Sequence, residues 1–187
     1  RATCIVTDQA NAAKVDQVMG HCPSLAVRLL VDGAREGWLD YGQGVATQSP
    51  AFETVDSAAT DEAMCYFTSG TTGYPKMCLH AHSYALAHQT TGRYWLDLKP
   101  DDLHWNCSDT GWAKAAWSSY FGPWYQGAAL FVHHTQGFKA ARTLQLLEQY
   151  PVTTFCGAPT IYRMFVLEDL SKLRLPSLRH CVGAGEP

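Results

Sequence analysis

Runs of apolar residues four to seven long recur along this chain, each closed by Gly, Pro, Asp or a hydroxyl residue, and stretches of helical period lie between them. Ala2–Thr7 is a β-branched run ending at Asp8. Ala12, Val15, Val18 and Met19 then repeat at helical spacing up to Gly20, and Leu25–Val31 is a second strand-like run closed by Asp32-Gly33. Together they predict a βαβ unit. Residues 32–61 are polar and irregular around Trp38-Leu39 and predict a surface crossover without nameable chemistry.

Ala63–Phe67 predicts a buried strand that runs into Thr68, and Met77–His80 the returning arm of a hairpin. Ser83 is placed to cap a helix reaching Tyr94. Further strands are expected at Leu103–Cys107, Ala128–Val132, Val152–Cys156 and Leu178–Val182. Helices are expected from Ala113 to Tyr120, along the Ala140-Leu144-Leu147 face, and after Pro159 with Ile161, Met164 and Phe165 inward. Strands alternating with helices give an α/β fold with mostly parallel sheets flanked by helices. In such sheets ligands bind beyond the carboxyl ends of strands. Asp109–Trp112, Ala158–Pro159 and Gly183–Pro187 all follow predicted strands, so three loops are expected to converge on one crevice.

Composition narrows the classes. Across 187 residues, 47% are hydrophobic, enough for one substantial core. Net charge is −3, and no basic run points to nucleic acid. No apolar stretch approaches the ~20 residues of a membrane span. The seven cysteines form no Cys-x-x-Cys pair and sit mostly in apolar runs, a pattern of free, buried thiols in a reducing compartment. The first residue is Arg1 and the last Pro187, directly after a glycine-rich turn; both ends read as cuts in a longer protein.

The chemistry concentrates in Thr68-Ser69-Gly70-Thr71-Thr72-Gly73-Tyr74-Pro75-Lys76: four hydroxyls and two glycines in six positions, then a proline and a lysine. Glycines admit positive φ and close backbone approach, successive N–H groups can form an anion nest, and Lys76 adds a mobile charge. The loop is built to hold a polyphosphate. It is not the common P-loop, because Pro75 falls where the second glycine belongs and Met77 replaces the following Ser/Thr. Ser69 lacks the Gly-x-Ser-x-Gly frame of a hydrolase nucleophile. His80/His82 and His133/His134 have no carboxylate or cysteine at metal-ligand spacing. The methionines and tryptophans read as core or pocket wall.

The strand, hydroxyl-glycine loop, proline and lysine in this order resemble the phosphate-binding signature of the adenylate-forming (AMP-binding) superfamily. With Gly92-Arg93-Tyr94-Trp95-Leu96-Asp97-Leu98, Ser108–Lys114, Ala158–Met164 and Gly183–Pro187, the whole chain resembles the mitochondrial medium-chain acyl-CoA synthetase family. The resemblance implies that residues 1–187 are part of the large N-terminal adenylation domain. It implies ATP-dependent activation of a medium-chain, short-chain or aromatic carboxylic acid to acyl-AMP and then acyl-CoA, with ATP, Mg²⁺ and coenzyme A, in the mitochondrial matrix. It assigns Thr68–Lys76 to the phosphates, Gly185, Glu186 and Pro187 to adenine, and Trp112, Ala113, more weakly Lys114, and Ala184 to the acyl pocket. No residue here takes a certain catalytic role. The ribose-binding aspartate, Mg²⁺-binding glutamate, adenylation lysine and C-terminal lid domain are expected beyond Pro187, so these residues alone should turn over little. The alternative is a non-catalytic nucleotide- or acyl-binding remnant of such an enzyme.

Overall fold

A computed structural model of the chain describes residues 2–68 and 73–184. These residues fall into two compact units, 1–55 and 56–187. The first holds the expected βαβ: β1 (Cys4–Thr7), α1 (Gln9–Val18) and β2 (Val27–Leu30), with β1 and β2 parallel. Asp8 caps α1, its carboxylate accepting from the Asn11 N–H at 2.9 Å. Ala12, Leu30 and Trp38 form this unit's core, with Ile5 and Val15 against them. The supposed crossover carries more order than its composition suggested. β3 (Leu39–Asp40) adds a third parallel strand, and α2 (Tyr41–Ala46) follows with Asp40 as its cap. What anchors it is tertiary: Trp38 is buried and its indole N–H donates to Asp16 at 3.0 Å.

The second unit begins with an antiparallel hairpin of β4 (Glu62–Thr68) and β5 (Lys76–Ala81), a two-stranded sheet of its own. α3 (Ser83–Tyr94) follows at once. Ser83 is its first residue and not its cap; His82 holds that place and makes no side-chain cap bond. The main sheet is fully parallel, in the order β7-β6-β8-β9, from β6 (Leu103–Cys107), β7 (Ala129–Leu130), β8 (Thr154–Gly157) and β9 (His180–Gly183). On one face α6 (Ala140–Gln149) and α7 (Pro159–Phe165) bury Leu144, Leu147 and Phe165 against Trp105, Val152 and Phe155. Pro159 opens α7 as anticipated, where its missing N–H costs nothing. Met164 is exposed, not inward.

The helix after β6 runs further than the sequence indicated. It starts as α4 (Ala113–Ala115), widens to a π-helix over Ala116–Phe121, and continues as α5 (Gly122–Gln126) to a left-handed Gly127. A proline has no N–H for an α-helical bond, and the wider turn ahead of Pro123 carries the chain past it. α3 packs closely here: a Cβ built on Gly92 would stand 2.7 Å from the Gly122 carbonyl oxygen.

Two expectations about burial fail. β4 is not a buried strand in this unit, since Phe67 is 70% exposed and its partner Met77 is exposed with it. Cys4, Cys65, Cys78 and Cys181 are exposed; only Cys156 is buried. Alternation puts Met64, Tyr66 and His80 on the packed side of the hairpin, against Tyr84, and leaves the other side open.

Candidate functional site

The hairpin brings the two ends of the hydroxyl-glycine loop together. Thr68 and Lys76 form its last antiparallel pair, and the Thr68 hydroxyl reaches toward the Lys76 carbonyl at 3.4 Å. A hydroxyl and an ammonium therefore stand on one rim. Gly73 has φ +96°, the left-handed conformation expected of it, and among the described residues no atom lies within 4 Å of where a Cβ would point. Tyr74, Pro75 and Lys76 are exposed. Ser69, Gly70, Thr71 and Thr72 lie outside the described residues, as do Gly185, Glu186 and Pro187.

At the carboxyl edge of the main sheet, segments that follow β6, β8 and β9 come together, though through Lys114 and not through Asp109–Trp112. Lys114, in α4 after β6, donates through Nζ to the Ala184 carbonyl just past β9. A Cβ on Gly183 would lie 3.5 Å from the Tyr162 ring and 3.8 Å from Pro159 Cγ, which follow β8. Tyr162 fastens this corner: its hydroxyl donates to the Val182 carbonyl at 2.6 Å and lies 3.3 Å from that of Phe155. Burial pushes the Tyr162 phenol well above its ordinary pKa. Ala113 is half-buried. Trp112 is 71% exposed, so it is neither a core tryptophan nor a closed pocket wall within this unit.

A separate cavity of about 350 Å³ opens beside the ends of β6 and β7, with Trp105, Phe138 and Ile161 among its apolar lining and Ser108, Asp109 and His133 among its polar lining. Trp112, Ala113 and Ala184 do not line it. No cluster of three His, Cys, Asp or Glu able to hold a metal occurs among the described residues. Among the described residues, no helix is long and apolar enough to cross a membrane.

Beneath the edge sits a polar network that sequence reasoning missed. His104, fully buried, bonds the Thr154 hydroxyl at 2.7 Å and the Ser118 hydroxyl at 3.2 Å. Burial pushes its imidazole down to about 4, so it is neutral. Burial alone would raise the Asp102 carboxyl. Bonds from Arg179, the Thr153 hydroxyl and the Lys99 N–H instead hold it below the usual carboxylate range. Arg179 also grips Asp97, donating to its carboxylate at 2.6 Å and to its carbonyl, and Asp97 is left-handed with φ 50°. These partners lie up to 82 residues apart, and no local pattern marks them.

A family model described as "AMP-binding enzyme" matches residues 1–187. The chain is 47% identical over 189 residues to acyl-coenzyme A synthetase ACSM3, mitochondrial, of Homo sapiens, and 43% identical to the ACSM4 protein of Rattus norvegicus. It covers 32% and 33% of these relatives, about a third of their length. Among solved structures, the anthranilate CoA ligase AuaEII in complex with anthranoyl-AMP superposes with a TM-score of 0.89 at 29% identity, over 99% of this chain and 36% of that one. A Brucella canis acyl-CoA synthetase gives 0.87 at 28%, over 100% and 34%.

Proposed function

The chain belongs to the AMP-binding enzyme family, and from that premise we propose that the complete protein activates a carboxylic acid with ATP and passes the acyl group to coenzyme A. The acid is of medium length, with short-chain and aromatic acids as the neighbouring classes. A carboxylate is a poor acylating agent because oxide would have to leave. Its attack on the α-phosphorus of ATP expels pyrophosphate and gives acyl-AMP, from which the thiol of coenzyme A displaces AMP. The family match and the acyl-CoA synthetase relatives support this reading. These 187 residues would be part of the large N-terminal adenylation domain. The relatives' names support a mitochondrial address, and the matrix is the compartment we propose.

One observation carries the site assignment: Thr68 and Lys76 close one strand pair around a loop with a left-handed Gly73. Thr68, Ser69, Gly70, Thr71, Thr72, Gly73, Tyr74, Pro75 and Lys76 would hold the β- and γ-phosphates. Their part in catalysis is positional and electrostatic: backbone N–H groups, hydroxyls and one ammonium meet the charge of the departing pyrophosphate. Mg²⁺ would enter with the nucleotide and share the phosphates' charge. Gly185, Glu186 and Pro187 would contact adenine. Trp112, Ala113 and Ala184 would border the acyl chain.

Lys76→Ala in the complete protein removes one charge-assisted contact, a cost of about 1.5–3 kcal/mol. ATP–pyrophosphate exchange should fall accordingly. An unchanged rate would take Lys76 out of the mechanism.

A further inference from the structure

The β8–β9 ladder has a gap that another part of the chain fills. The strands are parallel, with Gly157 opposite Gly183. In a parallel ladder a residue donates to the one before its partner and accepts from the one after. His180 N–H donates to the Thr153 carbonyl at 3.3 Å and Ala184 N–H to that of Gly157 at 3.4 Å, so the even-numbered residues of this edge face β8. One step beyond Gly183, Ala184 stands opposite Ala158, and its carbonyl should accept from the N–H of residue 159. That residue is a proline and has none. Opening α7 suits a proline, but it leaves the sheet one donor short.

Lys114 supplies the donor. Its Nζ bonds the Ala184 carbonyl from a position 70 residues earlier in the chain. Ala184 is thereby held on both sides, its N–H by Gly157 and its C=O by Lys114. Resting on the acid-activating reading above, we propose that Lys114 is a positioning residue, standing in for the N–H that Pro159 lacks and fixing the backbone where acyl and adenine contacts meet. Loss of the bond frees the Ala184 carbonyl. An ammonium suits the task because the carbonyl lies off the end of the ladder, and a lysine stem reaches it from a separate helix.

Three variants of the complete protein test this: Lys114→Met, Lys114→Arg, and the double variant Lys114→Met/Pro159→Ala, which puts a backbone N–H back. Two readouts are needed. Amide exchange at Ala184, without substrates, should speed up about tenfold in Lys114→Met, the size of one lost bond to a charged donor. ATP–pyrophosphate exchange should lose about tenfold in kcat/KM, chiefly through higher KM for ATP and acid, with the thermal midpoint little changed. Arginine should restore both readouts, and so should the added N–H of the double variant. Unchanged amide exchange in Lys114→Met overturns the proposal. Rescue by arginine without rescue by Pro159→Ala also overturns it, because the charge would then act on substrate and not on the ladder. A wild-type protein inert in pyrophosphate exchange would sink the acid-activating reading while amide exchange still decides the role of Lys114.

Discussion

His104 shows how one residue ties the sheet to the helix over it. Its two ring nitrogens reach hydroxyls on β8 and on the π-helix, so a neutral imidazole satisfies both layers at once. The cost appears in acid. In the unfolded chain a histidine titrates near 6.5, whereas burial holds this one down to about 4. Since the folded value is the lower, unfolded chains bind the extra proton first. The stability His104 contributes is complete above pH 6.5 and drains away as pH falls toward 4. Between pH 6.5 and 4.5 the loss should be about 2–3 kcal/mol, at 1.36 kcal/mol per pKa unit. Urea denaturation at both pH values, for the wild type and His104→Gln, isolates the effect. Carboxylates such as Asp102 titrate alike in both proteins, so the variant should lose less stability over this window. Equal losses would mean that His104 is not the group responsible.

At the scale of elements, packing against distant partners decided what local pattern could not. Gly92 on α3 has no turn to serve; it lies against Gly122 because nothing larger fits. Gly92→Ala would drive a methyl onto a backbone carbonyl that cannot swing aside, and should cost about 1–3 kcal/mol. The thermal midpoint of the complete protein reads this. A variant as stable as wild type would show that α3 and α5 can part freely. The same contact explains what was legible. β6, the β4–β5 hairpin and the proline start of α7 were readable because apolar runs, hydroxyl-glycine turns and Pro159 act on their own neighbours. β3 and α2 were not, because they depend on Trp38 reaching Asp16 across 22 residues. The π-turn ahead of Pro123 was not, because a proline in a helical stretch signals a break and only the path onto α5 shows a detour. Of the candidate site, Gly73's backbone could be anticipated, and so could the approach of segments that follow β8 and β9. The partner of Lys114 could not, since it follows from a donor missing 45 residues further on.

At the scale of the whole molecule, the proposed acyl contacts come from segments that follow different strands. Trp112 follows β6 and Ala184 follows β9, and the Lys114 bond holds their two segments together through main chain, leaving the Ala184 methyl free to vary. On the proposed acyl-site assignment, a large ring on one side and a bare methyl on the other would leave more depth than acetate needs. Enlarging Ala184 to Trp should fill that depth while the carbonyl stays on Lys114. Each methylene a substrate can no longer bury forfeits roughly 0.8 kcal/mol, about a fourfold loss in kcat/KM. The variant should therefore fall further behind wild type with every added carbon of a straight-chain acid, and nearly match it on acetate and propionate. Measuring kcat/KM across such a series, with both complete proteins, separates this from general damage, which would lower every acid alike. If the preferred length stays where it was, Ala184 does not border the acyl chain, and selectivity must be sought in the residues around Trp112.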